Sequence, residues 1–334
     1  MISSSLKKLL IEQGFRAPSV HNVQPWVLDV RDENILVYDD LTRTLSIGDA
    51  SLHDHEVSLG ALIEGLHLLL STENLGVTEI APLTESSVNF QERKLRPRYR
   101  LNIANGFKAD PLAAMISKRK SYRGNFLANT AEDRKHLTDA VTTDSSAVIS
   151  NPLELRQWAK DYDRCSIESN GHRPLQAELY QWMRFEKSEA NYQRDGLNAE
   201  SLGISAIEAW AAKFLLRPDV YAFLNKFGMA GSLISEASQI ASATGLLVIF
   251  KVPGLTPLEN GRNFYRLWLQ LTEAGFNACP LSALVDHPEG RKKIESYFGD
   301  KPVLNVLRVG KAPQEGVYES PRLPVQETLM GVQS

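Results

Sequence analysis

The sequence predicts an α+β protein in two halves of similar architecture, on three observations. Two short β-type runs, "WVLDV" (26–30) and "NILVYDD" (34–40), are separated by the turn-forming "RDEN". Two stretches, 56–70 and 264–274, carry apolar residues at helical spacing. A short pattern also occurs twice: helix, glycine, then a run closing on Pro-Leu, at Gly76 to Pro82-Leu83 and at Gly275 to Pro280-Leu281. A chain of 334 residues has room for about two domains.

Along the chain, Ile2, Leu6, Leu9 and Leu10 predict a short amphipathic helix ending near Gly14. Lys7 and Lys8 interrupt it, so no signal peptide is expected. After the loop "APSVHNVQPW" (17–26) and the two strands comes the helix 56–70, with Leu59, Leu62, Ile63, Leu66, Leu69 and Leu70 on one face. In "RKLRPRYRLNI", Lys94, Arg96, Arg98 and Arg100 alternate with Leu95, Tyr99 and Leu101 and read as a solvated strand face. Asp110-Pro111 marks a break, with a new helix expected after it. Residues 150–240 are helical in pattern, 246–252 ("LLVIFKV") read as a buried strand, and "NFYRLWLQLTEAG" as a helix.

Composition narrows the function classes. The net charge of −3 offers no general attraction to nucleic acid or acidic lipid, and no apolar run is long enough to span a bilayer. Cys165 and Cys279 fit neither a zinc site nor a disulfide framework, so a cytoplasmic protein is expected. His53 and His55, with Asp49, Asp54 and Glu56, tempt a metal-dependent hydrolase. Asp54 as an N-cap with acidic company explains them more cheaply, and no metal site is expected. No G-x-S-x-G, G-x-G-x-x-G or P-loop is present.

Three stretches carry chemistry. The loop 17–26 gathers Ser19, Asn22 and Gln24 between Pro18 and Pro25, with His21 and Trp26: too polar for a buried strand, too proline-broken for a helix. In "KRKSYRGNF" (118–126), Arg119, Ser121 and Arg123 alternate, so an extended segment would aim all three at one ligand, such as a phosphoester joined to a polyol. An exposed basic linker is the plainer alternative. Near the end, "ESPRLPVQE" holds Arg322 between Pro321 and Pro324, stiff enough to close over a phosphate.

Together these stretches resemble the FMN-dependent nitroreductase family. The resemblance rests on Ala17 to Trp26, on Arg119-x-Ser121-x-Arg123, on Pro280-Leu281-Ser282-Ala283 and on Ser320-Pro321-Arg322-Leu323-Pro324. The order departs from a typical member, because the A-P-S loop precedes R-x-S-x-R by about a hundred residues. That order resembles the tandem, Acg-like branch, in which two nitroreductase-like halves are fused.

The resemblance implies a nitroreductase-like fold, with antiparallel-dominated sheets and an intramolecular pseudo-dimer of halves 1–110 and 111–334. It implies one FMN, not FAD, between the halves. Arg119 and Arg322 would hold the phosphate with Ser320 nearby, and Ser121 the ribityl or phosphate region. Arg123 would lie at the N1–O2 edge, and Pro18, Ser19, Asn22 and Gln24 would form the opposite wall. Leu281, Ser282 and Ala283 would lie beside the flavin, with a backbone N–H at Ser282 or Ala283 facing N5, although many relatives have glycine at the position of Ala283. Trp26 would anchor the loop in the core. The implied activity is ping-pong hydride transfer from NAD(P)H to a nitroaromatic, quinone or similar acceptor, with no dedicated catalytic side chain. The alternative is a non-catalytic FMN-sequestering protein, with residues 163–200 as a lid. The protein would be a monomer (pseudo-dimer) or a homodimer.

Overall fold

The computed structural model describes residues 2–313 and 318–330. Helix α1 (Ser4–Gln13) opens the chain, capped by the Ser3 hydroxyl, which accepts from the Leu6 N–H. Strands β1 (Trp26–Val30) and β2 (Asn34–Asp40) form the expected hairpin, followed by α2 (His53–Ser71). Then come β3 (Leu75–Pro82), β4 (Val88–Phe90) and β5 (Arg93–Asn105). The helix expected after Pro111 is a single short turn, Pro111–Met115, and regular helix resumes only with α3 (Ala131–Val141). The polar "KRKSYRGN" between them has no apolar stripe to bury, so nothing holds it helical.

Strand β6 (Ser146–Ile149) leads into a long, mainly helical excursion. It runs through α4 (Pro152–Gly171), α5 (Arg173–Gln181), the two-residue strands β7 (Met183–Arg184) and β8 (Leu197–Asn198), and α6 (Ala199–Leu202). It continues with α7 (Ala206–Leu215), α8 (Pro218–Lys226), α9 (Gly231–Ile234) and α10 (Ala237–Ala241). The chain returns through β9 (Gly245–Phe250), α11 (Pro257–Glu273), β10 (Asn277–Pro280), α12 (Ser282–Asp286), α13 (Pro288–Tyr297), β11 (Val303–Gly310) and α14 (Val325–Thr328).

Two antiparallel sheets result, ordered β1-β2-β5-β3 and β6-β9-β11-β10, with β4 also on β5. Leaving aside β4 and the excursion, each sheet is built from strand, strand, helix, strand, strand, so both share one topology. The repeated Pro-Leu pattern occupies matching places: the Leu83 N–H donates to the Arg98 carbonyl at 2.9 Å and the Leu281 N–H to the Val306 carbonyl at 2.7 Å. Both Pro-Leu pairs end the third strand of their sheet.

The long helices α2 and α11 pack together, and two glycines set how closely. A Cβ on Gly60 would lie 2.0 Å from the Leu258 carbonyl oxygen, and one on Gly261 would lie 2.2 Å from that of Val57. Each glycine meets the residue three before the other, a reciprocal contact that no side chain could fit. Around it Leu59, Leu62, Ile63, Leu66, Tyr265 and Leu269 are buried, each contributing roughly 1.5–3 kcal/mol. Arg262 and Arg266 reach from α11 to the buried Glu64 carboxylate on α2, at 2.7 and 2.6 Å.

Two sequence expectations are corrected here. Asp54 is not the N-cap of α2; Leu52 stands there at φ 57° without a side-chain cap. Asp49 reaches over from outside and accepts from the His55 N–H at 2.8 Å. The basic face of β5 is solvated only in part: Lys94 and Arg100 are exposed, while its other arginines are paired. Arg93 pairs with Asp40, Arg96 and Arg98 pair with Asp39, and Arg98 also meets Glu56. His55 lies 3.0 Å from the same Asp39 and so turns into this network. A register shift between Val37 and Tyr38 breaks the alternation, and the two successive aspartates are both fully buried. No helix among the described residues is long and apolar enough to cross a membrane.

Candidate functional site

The loop 17–26 holds three non-glycine residues in left-handed backbone: His21 (φ 48°), Asn22 (φ 57°) and Gln24 (φ 52°). Such residues cost about 1–3 kcal/mol each in strain and persist only where their surroundings hold them. Ser19 helps by accepting from the Gln24 N–H at 3.0 Å. Pro18 is half-buried at the loop's start, and Trp26 is buried in the core as its anchor.

The sequence expected the amides of this loop to face a ligand; the structure ties them to other segments. Asn22 Nδ2 donates to the Pro321 carbonyl at 2.9 Å and the Gly196 carbonyl at 3.2 Å. Gln24 Nε2 donates to the carbonyls of Asn22 (3.2 Å) and Arg194 (3.0 Å), while Gln24 Oε1 accepts from the Leu323 N–H at 2.9 Å. Gln24 is thereby a staple joining loop, tail and the 194–196 segment.

Beside this staple lie three guanidinium groups. Arg322 donates to the carbonyls of Phe15 (2.8 Å), Arg16 (3.0 Å), Ser320 (3.2 Å) and Pro321 (3.0 Å), and to Asn22 Oδ1 (3.1 Å). Arg119 is buried with its guanidinium 4.6 Å from the centre of the Trp268 ring. Its Nη2 donates to the same Arg16 carbonyl at 3.2 Å, while its Nε and Nη1 have no partner among the described residues. Arg16 itself pairs with Glu319. That carboxylate stands against three positive charges. Burial pushes Arg322 down to about 9, with the neighbouring Arg119 charge adding to the effect; burial also lowers Arg119. Both stay charged at neutral pH, so the fold carries two poorly compensated cations. A cleft of about 380 Å³ opens here, lined by Arg16, Glu319, Ser320, Arg322, Phe15 and Gln193 among others.

Ser121 and Arg123 point away from Arg119, so the segment does not aim its three side chains in one direction as simple alternation would. Only Ser121 forms a β-bridge, to Ala278, and the Tyr122 N–H donates to the Ala278 carbonyl at 3.1 Å. Without a continuous strand the simple alternation fails. Arg119 turns toward Trp268, whereas Ser121 and Arg123 line a second cleft of about 350 Å³ with Gly124, Ser201, Ile204 and Tyr318. Arg123 donates to the Ser201 carbonyl at 2.9 Å. His21 is held down to about 4, chiefly by burial and then by the Arg123 charge.

Ser121 is thus fixed beside β10, whose end leads directly into 281–283. Leu281 is a core residue: its side chain is buried, its N–H goes to Val306 and its carbonyl accepts from Leu284. Its backbone N–H and carbonyl are thus both engaged within the fold. Ser282 and Ala283 open α12, where N–H groups lack intrahelical acceptors by position.

Sequence reasoning missed Arg16, Glu319, Trp268 and Tyr265, whose ring centre lies 6.0 Å from the Arg119 guanidinium. Arg16 directly precedes the polar loop and could have been noticed; Tyr265 and Trp268 read only as helix-face residues. It placed a covering segment at 163–200, while the segment over the loop and Arg123 is 194–201. Asp195 fastens it, accepting from Arg184 (2.6 Å) and from Arg43 (2.5 Å), and Arg194 binds both oxygens of Glu327 at 2.6 Å. Glu178 on α5 adds a clasp by accepting from the N–H groups of Ile47 and Gly48.

No family model matches the chain. It is a distant homologue, over nearly its full length, of the Mycobacterium tuberculosis protein named "Putative NAD(P)H nitroreductase acg". The two are 23% identical over 341 aligned positions that cover 98% of this chain and 96% of that protein. Among solved structures, similarity extends to a nitroreductase with bound FMN from Bacteroides fragilis (12% identity, 67% of this chain, 98% of that one, TM-score 0.34). It extends also to the FMN-dependent nitroreductase NfnB from Mycobacterium smegmatis in complex with NADPH (14% identity, 66% and 96%, TM-score 0.36).

Proposed function

We propose that this chain is an FMN-binding oxidoreductase of the nitroreductase type, holding one FMN between halves 1–110 and 111–334, which act as an intramolecular pseudo-dimer. The observation that carries the proposal is the pair of buried Arg119 and half-buried Arg322, with Arg16's partner Glu319 as the nearby carboxylate and with N–H groups on Arg119 that have no partner among the described residues. Their donor set fits a phosphate monoester, which accepts several charge-assisted bonds at once. Full-length homology to a protein named as a putative NAD(P)H nitroreductase supports the oxidoreductase reading.

In this assignment Arg119, Arg322 and Arg16 hold the phosphate, and Asn22 and Gln24 keep the loop and tail in place around them. Ser121 and Arg123 take the polyol and ring edge, where a fixed cation favours negative charge. Ser282 and Ala283 offer N–H groups at the start of α12, and neutral His21 adds no charge of its own. The bound cofactor would supply hydride and electron transfer between NAD(P)H and an acceptor such as a nitroaromatic or quinone. The test is direct: the protein should purify yellow, and denaturation should release one FMN per chain. Colourless protein that fails to take up added FMN defeats the proposal; a ratio near two defeats the single composite site.

One observation favours a second reading, a flavin-sequestering protein. The carbonyls of Arg194, Gly196 and Ser201 lie over the loop and Arg123, and Asp195 and Glu327 pin that segment down. Steady-state NADPH oxidation by flavin-loaded protein separates the two, since sequestration predicts bound FMN without turnover.

A further inference from the structure

The helical excursion turns an apolar face outward. On α7, Ile207, Trp210 and Phe214 follow one another at helical spacing and are 80%, 71% and 56% exposed. On α8 and its cap, Phe223 and Phe227 are similarly exposed and meet ring to ring at 5.0 Å, and Met229 follows. The hairpin is not loose. Ala209 and Tyr221 are buried on its inner side, the Tyr180 hydroxyl donates to the Lys213 carbonyl at 2.7 Å, and Gln176 donates to the Leu216 carbonyl. A firmly seated pair of helices thus shows solvent the side that helices normally bury.

We infer that this α7–α8 face is the contact between two copies of the chain, packed about a two-fold axis. The argument is area and charge. Four aromatic side chains of roughly 150–250 Å² each, exposed by more than half, together with Ile207 and Met229, present roughly 700 Å². That exceeds the few hundred Å² usual for a monomer's largest apolar patch and approaches the roughly 800 Å² per partner of a standard interface. Around it Lys213 pairs with Glu186 and Arg217 with Asp219, while Lys226 on α8 is a single cation with no ion pair among the described residues. The rim is therefore not the basic fringe that an anionic membrane surface would need. A neutral aromatic patch complements itself, as a two-fold contact requires. This inference stands independently of the flavin proposal.

Sedimentation equilibrium of the full chain up to roughly 100 µM, above the micromolar weak end of interfaces of standard area, should give the mass of two chains. Trp210→Asp should return it to one chain with unchanged circular dichroism, and Ile207→Lys, at the most exposed position, is the second variant should the first misfold. A wild type that remains a single chain overturns the inference. So does a dimer unaffected by both substitutions, or a monomer that co-sediments with phosphatidylcholine–phosphatidylserine vesicles through Trp210.

Discussion

Arg96 and Arg98 on β5 and Arg119 and Arg322 beneath the 17–26 loop are both arginine pairs drawn toward the interior, with opposite company. Asp39 and Glu56 answer the first pair, and Asp39 is fully buried among them. The second pair finds backbone carbonyls and the face of Trp268, and its nearest carboxylate, Glu319, is bonded to Arg16. The first cluster is complete without a ligand and acts on stability. The second lacks counter-charge, the condition under which a bound anion contributes most.

The largest effect should come from breaking the complete cluster. Asp39→Ala strands Arg96 and leaves Arg98 with Glu56 alone, and removing one partner of a buried pair costs about 3–5 kcal/mol. Urea unfolding should show that loss, with FMN affinity of the remaining folded protein unchanged. A loss below about 1 kcal/mol, as for exposed pairs, would erase the distinction between the clusters.

Acid should next weaken the incomplete side. His21 has a folded pKa of about 4 against an ordinary value of 6.5. Between those values the unfolded chain binds more protons, so stability falls as pH drops from about 6.5 to about 4 and is unaffected by His21 above that range. The full effect is up to roughly 3 kcal/mol. His21→Asn, which tolerates the left-handed backbone, should flatten this part of the stability–pH profile; an unchanged profile would show that His21 is not the titrating group.

How much of this contrast was legible in the sequence depends on range. The strands 26–30 and 34–40 were readable because apolar runs end at turn formers, and the Pro-Leu repeat marked equivalent strand ends before either sheet was known. Arg119, Asn22 and Arg322 were readable as motif residues. Which arginines would find carboxylates was not, because Asp39 meets Arg96 and Arg98 only through the register of β2 on β5. Glu319 reaches Arg16 across some three hundred residues, and the amide of Gln24 is used up by Arg194 and Leu323, 170 and 299 residues away. The sequence showed which side chains could bind and left open which were already engaged.

Arg322→Ala tests the incomplete cluster itself. A charge-assisted phosphate contact is worth about 1.5–3 kcal/mol, so FMN affinity should fall about ten- to hundredfold. The apoprotein should lose far less stability than in Asp39→Ala, because a desolvated cation disappears together with its carbonyl contacts. Glu319→Gln supplies the opposite arm: removing the built-in counter-charge should tighten FMN binding severalfold. Flavin-fluorescence titration gives both values, and equal affinity in all three proteins would mean the tail is no phosphate clasp.

The smallest effect should belong to Asn22→Ala, and its sign depends on the staple. In the structure Asn22 donates to Pro321 and Gly196 and accepts from Arg322, so it touches the tail, the covering segment and the arginine at once. Asn22 Oδ1 accepts a charge-assisted bond from Arg322 Nη1 and so orients that guanidinium without itself being a phosphate contact; only part of the bond's roughly 1.5–3 kcal/mol passes into FMN affinity, a loss of roughly two- to tenfold. Loss of the Gly196 bond acts the other way on kinetics, loosening the segment above Arg123, so flavin should enter and leave faster even as affinity falls. Stopped-flow mixing with FMN separates these contributions. Slower exchange at weaker affinity would contradict the role of Asn22 as the joint between loop, tail and cover, and would leave it a local support of the strained backbone at His21 and Gln24.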